Sequence, residues 1–201
     1  MVYQTAMTIA PARSHTFTLP NVLTYGRIMA VPALVACLYF LKGDVARWSA
    51  FALFVLAALT DWLDGYLARA WEQQSTLGAM LDPIADKLLV GAALLMLVHD
   101  NTINGVSIWA AIIILCREIL VSGLREFLAE LNVKVRVSTL AKWKTTLQLV
   151  ALAVLLAGPA AARYVPEAEV LGIALLWLAA LLTLWTGYDY LKAGVRHAMS
   201  H

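Results

Sequence analysis

Six apolar stretches, at 21–41, 48–69, 77–99, 108–127, 142–162 and 170–192, govern what this chain can become. About 20 helical residues cross a hydrocarbon core roughly 30 Å thick, and each stretch is of that length. Inside lipid no water is available to backbone polar groups, so segments of this kind must be helices that satisfy their own N–H and C=O groups. The expected fold class is all-α, a polytopic membrane protein of six transmembrane helices. Composition agrees, since 62% of the 201 residues are hydrophobic and only 14% are charged. With no Ser- or Gly-rich linker, the chain reads as one membrane domain over 21–192, an N-terminal cytoplasmic or interfacial segment over 1–20 and a cytoplasmic tail over 193–201. Turn and polar residues fill the breaks at 42–44, 72–75, 99–101 and around Pro166.

Basic residues orient the spans. With both termini inside, the inner loops and ends receive Arg13, Arg69, Arg125, Lys134, Arg136, Lys142, Lys144, Lys192 and Arg196, and the outer ones only Lys42, Arg47 and Arg163. This asymmetry, rather than the net charge of +2, suits a multi-pass protein working against an anionic cytoplasmic leaflet. No nucleic-acid partner is expected. The first apolar run outlasts a signal peptide and has no small-residue cleavage site after it, so it is expected to be retained. Cys37 and Cys116 sit in apolar runs and read as small buried hydrophobes.

Chemistry is expected where hydropathy is spoiled. The second and third stretches contain Asp61, Asp64, Asp82 and Asp86, carboxylates that are costly in lipid unless paired or metal-bound. Asp61 and Asp64 are three residues apart and Asp82 and Asp86 four apart, so each pair shares a helix face, and two facing helices can pool all four. Oxygen-only ligands at this charge density suit Mg²⁺ or Mn²⁺, preferably two ions, and the lack of nearby Cys or His disfavours zinc. Gly65, Ala68 and Gly78 remove bulk beside the acids and suggest a ligand cleft, although small residues also serve close helix packing. Pro83 is expected to kink or hydrate the third helix where Asp82 and Asp86 project.

Asp61, Asp64, Gly65, Ala68, Arg69, Gly78, Asp82 and Asp86 match the spacing D-x2-D-G-x2-A-R-x8-G-x3-D-x3-D over 26 residues. This signature resembles that of the CDP-alcohol phosphotransferases. The resemblance implies that Asp61, Asp64, Asp82 and Asp86 hold the metals and that Asp86 is also the catalytic base. It further implies that Gly65, Ala68, Arg69, Ser75 and Gly78, with Thr24 and Arg27 of the first helix, contact the CDP-lipid. A snorkelling side chain at the inner end of a span is the alternative for Arg27.

The acceptor is read from basic residues. Arg117 and Arg125 are eight apart on roughly one face of the fourth helix, and Lys142 and Lys144 open the fifth, so together they can cradle an anion. Ordinary positive-inside decoration competes for Lys134, Arg136 and Lys144, while Glu118 can simply pair with a neighbouring base. Segments 21–24, 82–87, 117–126 and 142–146 are similar to those of the phosphatidylglycerophosphate synthases within the same family. The resemblance therefore implies CDP-diacylglycerol as donor, glycerol 3-phosphate as acceptor, and a homodimer embedded in membrane lipid. Inositol phosphate or phosphatidylglycerol as acceptor, or a divalent-cation transporter, are the competing readings.

Overall fold

The computed structural model describes the backbone of residues 19–71, 76–130 and 139–198. Within those ranges it describes side chains other than 19–21, 62, 64–71, 76–79, 130, 139–142, 189–190 and 193–198. Among the described residues the fold is all-helical, with α1 Leu19–Phe40, α2 Gly43–Trp71, α3 Thr76–His99, α4 Ile108–Glu130, α5 Thr139–Ala161 and α6 Ala168–Ala198. One 3₁₀ turn, Gly105–Ser107, leads into α4.

These helices overrun the apolar stretches at several ends. α2 starts at Gly43 rather than near 48, and α6 continues to Ala198, beyond 192. Hydropathy marks the lipid-immersed part of a helix, whereas hydrogen bonding continues into polar flanks such as Asp44 and Lys192. Among the described residues, five helices are long and apolar enough to cross a membrane. α3 is long enough at 24 residues, but Asp82, Asp86 and Lys87 interrupt its apolar character. It continues unbroken through Pro83.

Tight turns close one end of the bundle. The Leu41 amide donates to the Cys37 carbonyl at the end of α1, and Gly43 then adopts φ 64°, a conformation that side-chain-bearing residues rarely enter. After α3, Asn101 takes φ 61°, while the Asn101 and Ile103 amides donate back to Val98 and Leu97. Ion pairs tie this end together: Arg47 of α2 lies 2.9 Å from Asp100, and Arg163 lies 3.5 Å from Asp44.

Packing is uneven around the bundle. α5 packs most extensively on α6, α1 packs on both α2 and α3, α4 on α6, and α2 on α5. Among the described residues the consecutive helices α2 and α3 make few contacts, while α1 packs on both. A core of Leu34, Phe54, Leu94, Leu97, Ile114, Leu152, Leu155 and Leu176 fills the interior, with Ala50, Ala93, Ala151, Ala179 and Ala180 where helices come close. Outward-facing Met29, Leu56, Leu59, Leu95, Trp109, Leu181 and Trp185 are exposed, an apolar surface suited to lipid rather than water.

The α5–α6 contact is closest at Gly172, where a Cβ would lie 2.7 Å from Cδ2 and 2.8 Å from Cγ of Leu155. Gly172→Val should therefore destabilise the bundle by about 1–3 kcal/mol through overpacking. Thermal unfolding in detergent measures this, and a variant as stable as the parent would contradict the close approach.

Candidate active site

The chemistry-bearing residues come from the first halves of α1, α3 and α5 and from the later parts of α2, α4 and α6. Up-and-down helices bring these parts to one end of the bundle, opposite the Arg47–Asp100 and Arg163–Asp44 pairs. There they surround a cavity of about 660 Å³, within the size range of small-molecule sites.

One wall is acidic, and α1 organises it. Thr24 and Arg27 are three residues apart on one face of α1 and both are 1% exposed. The Thr24 hydroxyl donates to Oδ1 of Asp82 on α3. Arg27 Nη1 lies 2.8 Å from Oδ1 of Asp61 on α2 and 2.8 Å from Oδ1 of Asp86 on α3. A single nitrogen thus joins carboxylates from α2 and α3. Asp61 and Asp86 keep 42% and 46% of their side-chain surface exposed, so each still presents carboxylate to the cavity.

The facing wall is basic. Glu118 of α4 accepts hydrogen bonds from Lys144 Nζ on α5 and, at 3.4 Å, from Arg117 Nη1. Arg117 Nη2 donates to Thr186 Oγ1 of α6 at 3.1 Å, and the Thr186 hydroxyl donates to the Leu182 carbonyl at 2.9 Å. Gly187 makes room for this guanidinium, because a Cβ there would lie 3.2 Å from Arg117 Cγ. Arg125 lies two turns after Arg117 and lines the same cavity, with Thr145, Thr146 and Gln148 of α5. Ala57, Ala58, Leu89, Val90, Val121 and Leu149 supply its apolar surface.

The structure therefore brings together Arg27, Asp61, Asp82, Asp86, Arg117, Arg125 and Lys144, all expected from sequence, in one cavity. Thr24 meets it through Asp82. The expected site residues Asp64, Gly65, Ala68, Arg69, Ser75, Gly78 and Lys142 have side chains outside the described residues. Sequence reasoning missed Lys87, Gln148 and Thr186 and gave Glu118 no central place. Two spacings carried a signal: Lys87 follows Asp86 in an apolar run, and Gln148 lies one turn after Lys144.

The donor chemistry fits a hard divalent cation, because oxygen-only groups from α2 and α3 gather at the cavity and two of them already converge on one cationic nitrogen. Among the described residues no three acidic, His or Cys side chains form a closed metal cluster. Asp64, which the spacing places one turn from Asp61, is outside that set.

Comparison with known proteins gives a consistent result. Residues 17–185 match the family described as CDP-alcohol phosphatidyltransferase. The chain is 47% identical over 175 residues to a Rickettsia bellii protein named CDP-diacylglycerol–glycerol-3-phosphate 3-phosphatidyltransferase, covering 87% of this chain and 94% of the relative. It is 40% identical over 209 residues to the Cereibacter sphaeroides protein of the same name, covering 88% and 95%. With the Haemophilus influenzae protein of that name it shares 43% identity over 178 residues, covering 88% and 92%.

Glu118 holds Lys144, which is 3% exposed, so removing the carboxylate leaves a buried ammonium without its partner. Glu118→Gln should cost about 3 kcal/mol or more of stability, measured by thermal unfolding in detergent. Millimolar inorganic phosphate should recover part of the loss by supplying another anion. A variant that melts like the parent would contradict this pairing.

Proposed function

Because the chain belongs to the CDP-alcohol phosphatidyltransferase family, we propose that it transfers the phosphatidyl group of CDP-diacylglycerol to glycerol 3-phosphate, releasing CMP and giving phosphatidylglycerophosphate. The observation that carries this reading is one cavity with carboxylates on one wall and Arg117, Arg125 and Lys144 on the other. An activated lipid with a pyrophosphate and an acceptor with its own phosphate need those two environments side by side. The names of the relatives support the same acceptor. Inositol phosphate would use a similar basic wall, whereas phosphatidylglycerol, with its phosphate in a diester, has less need of one. A cation transporter would have little use for a basic wall facing its acids.

In the proposed arrangement Asp61, Asp64, Asp82 and Asp86 hold Mg²⁺ or Mn²⁺, as two ions. Bound there, the metal supplies neutralisation of the donor pyrophosphate. Thr24, Arg27, Gly65, Ala68, Arg69, Ser75 and Gly78 contact the CDP-lipid. Arg27 brings Asp61 and Asp86 together, and Thr24 orients Asp82. Arg117, Arg125, Lys142 and Lys144 take the acceptor phosphate, with Glu118 holding Lys144 in place.

Asp86 accepts the proton of the acceptor hydroxyl as that oxygen attacks the lipid-side phosphorus, and the bond to CMP breaks in line. The protein crosses the bacterial cytoplasmic membrane six times, α3 spanning it along with the five more apolar helices, its polar residues turned to the cavity. The cavity and both termini face the cytoplasm, on the side favoured by the basic residues. Assembly as a homodimer belongs to the same reading and is carried by the resemblance alone.

Purified protein in mixed micelles should release CMP from CDP-diacylglycerol only when glycerol 3-phosphate is present. Chelator should abolish release and added Mg²⁺ should restore it. Release driven instead by inositol phosphate or phosphatidylglycerol would overturn the acceptor assignment, and full activity in chelator would overturn the metal role. Asp86→Asn should lower kcat by about 10²–10⁴-fold, with the protein still folded by size-exclusion chromatography; near-parental turnover would remove Asp86 as the base.

A further inference from the structure

Gln148 lines the cavity and is 3% exposed, yet its side-chain oxygen Oε1 is buried without a hydrogen-bond donor. Folded proteins leave few buried polar atoms in that state, because withdrawing an acceptor from water without a partner lowers stability. Gln148 stands four residues after Lys144, so it lies one turn farther along the same face of α5. α5 packs on α2, where Ala57 and Ala58 line the cavity one turn before Asp61. The same face of α5 thus carries a phosphate-binding lysine and a buried acceptor past the helix that bears the acids.

We propose that Gln148 determines acceptor specificity by accepting a hydrogen bond from the middle hydroxyl of the glycerol backbone, a reading that rests on the proposed reaction. With the acceptor phosphate on Arg125 and Lys144, the carbon chain has to extend toward Asp86 for its terminal hydroxyl to react. One helical turn, about 5.4 Å, is comparable to the reach from a phosphorus atom to a hydroxyl two carbons away. The middle hydroxyl then passes Gln148, whose terminal amide turns about its last side-chain bond to bring the enclosed Oε1 to the cavity and accept from it. An acceptor lacking that hydroxyl leaves the amide oxygen unpaired, which is how a buried polar group rejects a near-isostere.

The test compares kcat/KM for glycerol 3-phosphate with that for 3-hydroxypropyl phosphate, which lacks only the middle hydroxyl, using CDP-diacylglycerol in mixed micelles. The parent protein should favour glycerol 3-phosphate by at least about tenfold. Gln148→Met, similar in volume but without the acceptor, should lose most of that preference through a lower kcat/KM for glycerol 3-phosphate, with a much smaller change for the analogue. Gln148→Asn, which withdraws the oxygen by one methylene, should reduce the preference in the same direction and covers the case in which the Met variant does not fold. A merely structural role would lower both rates together and leave the ratio intact. An intact ratio in a folded variant, or a parent protein that does not distinguish the two acceptors, overturns the assignment of Gln148. A parent protein that releases no CMP with either acceptor overturns the underlying reaction instead, a failure seen without any variant.

Discussion

A charge withdrawn from water has to find an opposite charge, and this requirement organises the catalytic end of the protein. Arg27 is 1% exposed on a helix of otherwise apolar character, and it meets Asp61 and Asp86 with one nitrogen. Among the described residues α2 and α3 make little direct contact, and Arg27 of α1 links their carboxylates. Without that guanidinium, like charges from two helices would face each other with no cation between them. Thr24, one turn earlier on the same face, fixes the third acid by donating to Asp82.

The same logic operates with signs reversed on the facing wall. Lys144 and Arg117 converge on Glu118, and Thr186 takes another arm of the Arg117 guanidinium. Each wall therefore carries an internal counter-ion, a cation among acids and an anion among bases. Such a cavity stays folded in lipid without ligands, and it also offers each ligand a charge to compete with. Substrates bearing pyrophosphate and phosphate supply the complementary groups, which links stability of the resting protein to the chemistry of its ligands.

The helices were legible because hydropathy over about 20 residues is a strong signal in lipid, and the four aspartates stood out because each one breaks that signal. Arg117 and Arg125 stood out as basic groups at helical spacing along an apolar stretch, whereas Lys144 read equally well as ordinary positive-inside decoration. Helix ends were less so, since Gly43 and Ala198 lie in polar flanks where hydropathy falls silent but hydrogen bonding continues. The bridging by α1 was hidden, because the spacing suggested two facing helices and said nothing of a third between them. Glu118 was legible as the partner of a neighbouring base, and it accepts from Lys144 as well as from Arg117. Gln148 was hidden, because a single glutamine in an apolar helix carries no charge to draw attention; only the cavity shows where it sits.

The claim beneath all of this is that carboxylates from α2 and α3 share one divalent-cation site against the donor pyrophosphate. Anomalous diffraction from crystals grown with Mn²⁺ and a CDP-lipid tests it most directly. Anomalous peaks bounded by Asp61, Asp64, Asp82 and Asp86, in contact with the pyrophosphate, are the expected result. Peaks elsewhere in the bundle, or no ordered manganese beside a bound pyrophosphate, would contradict it.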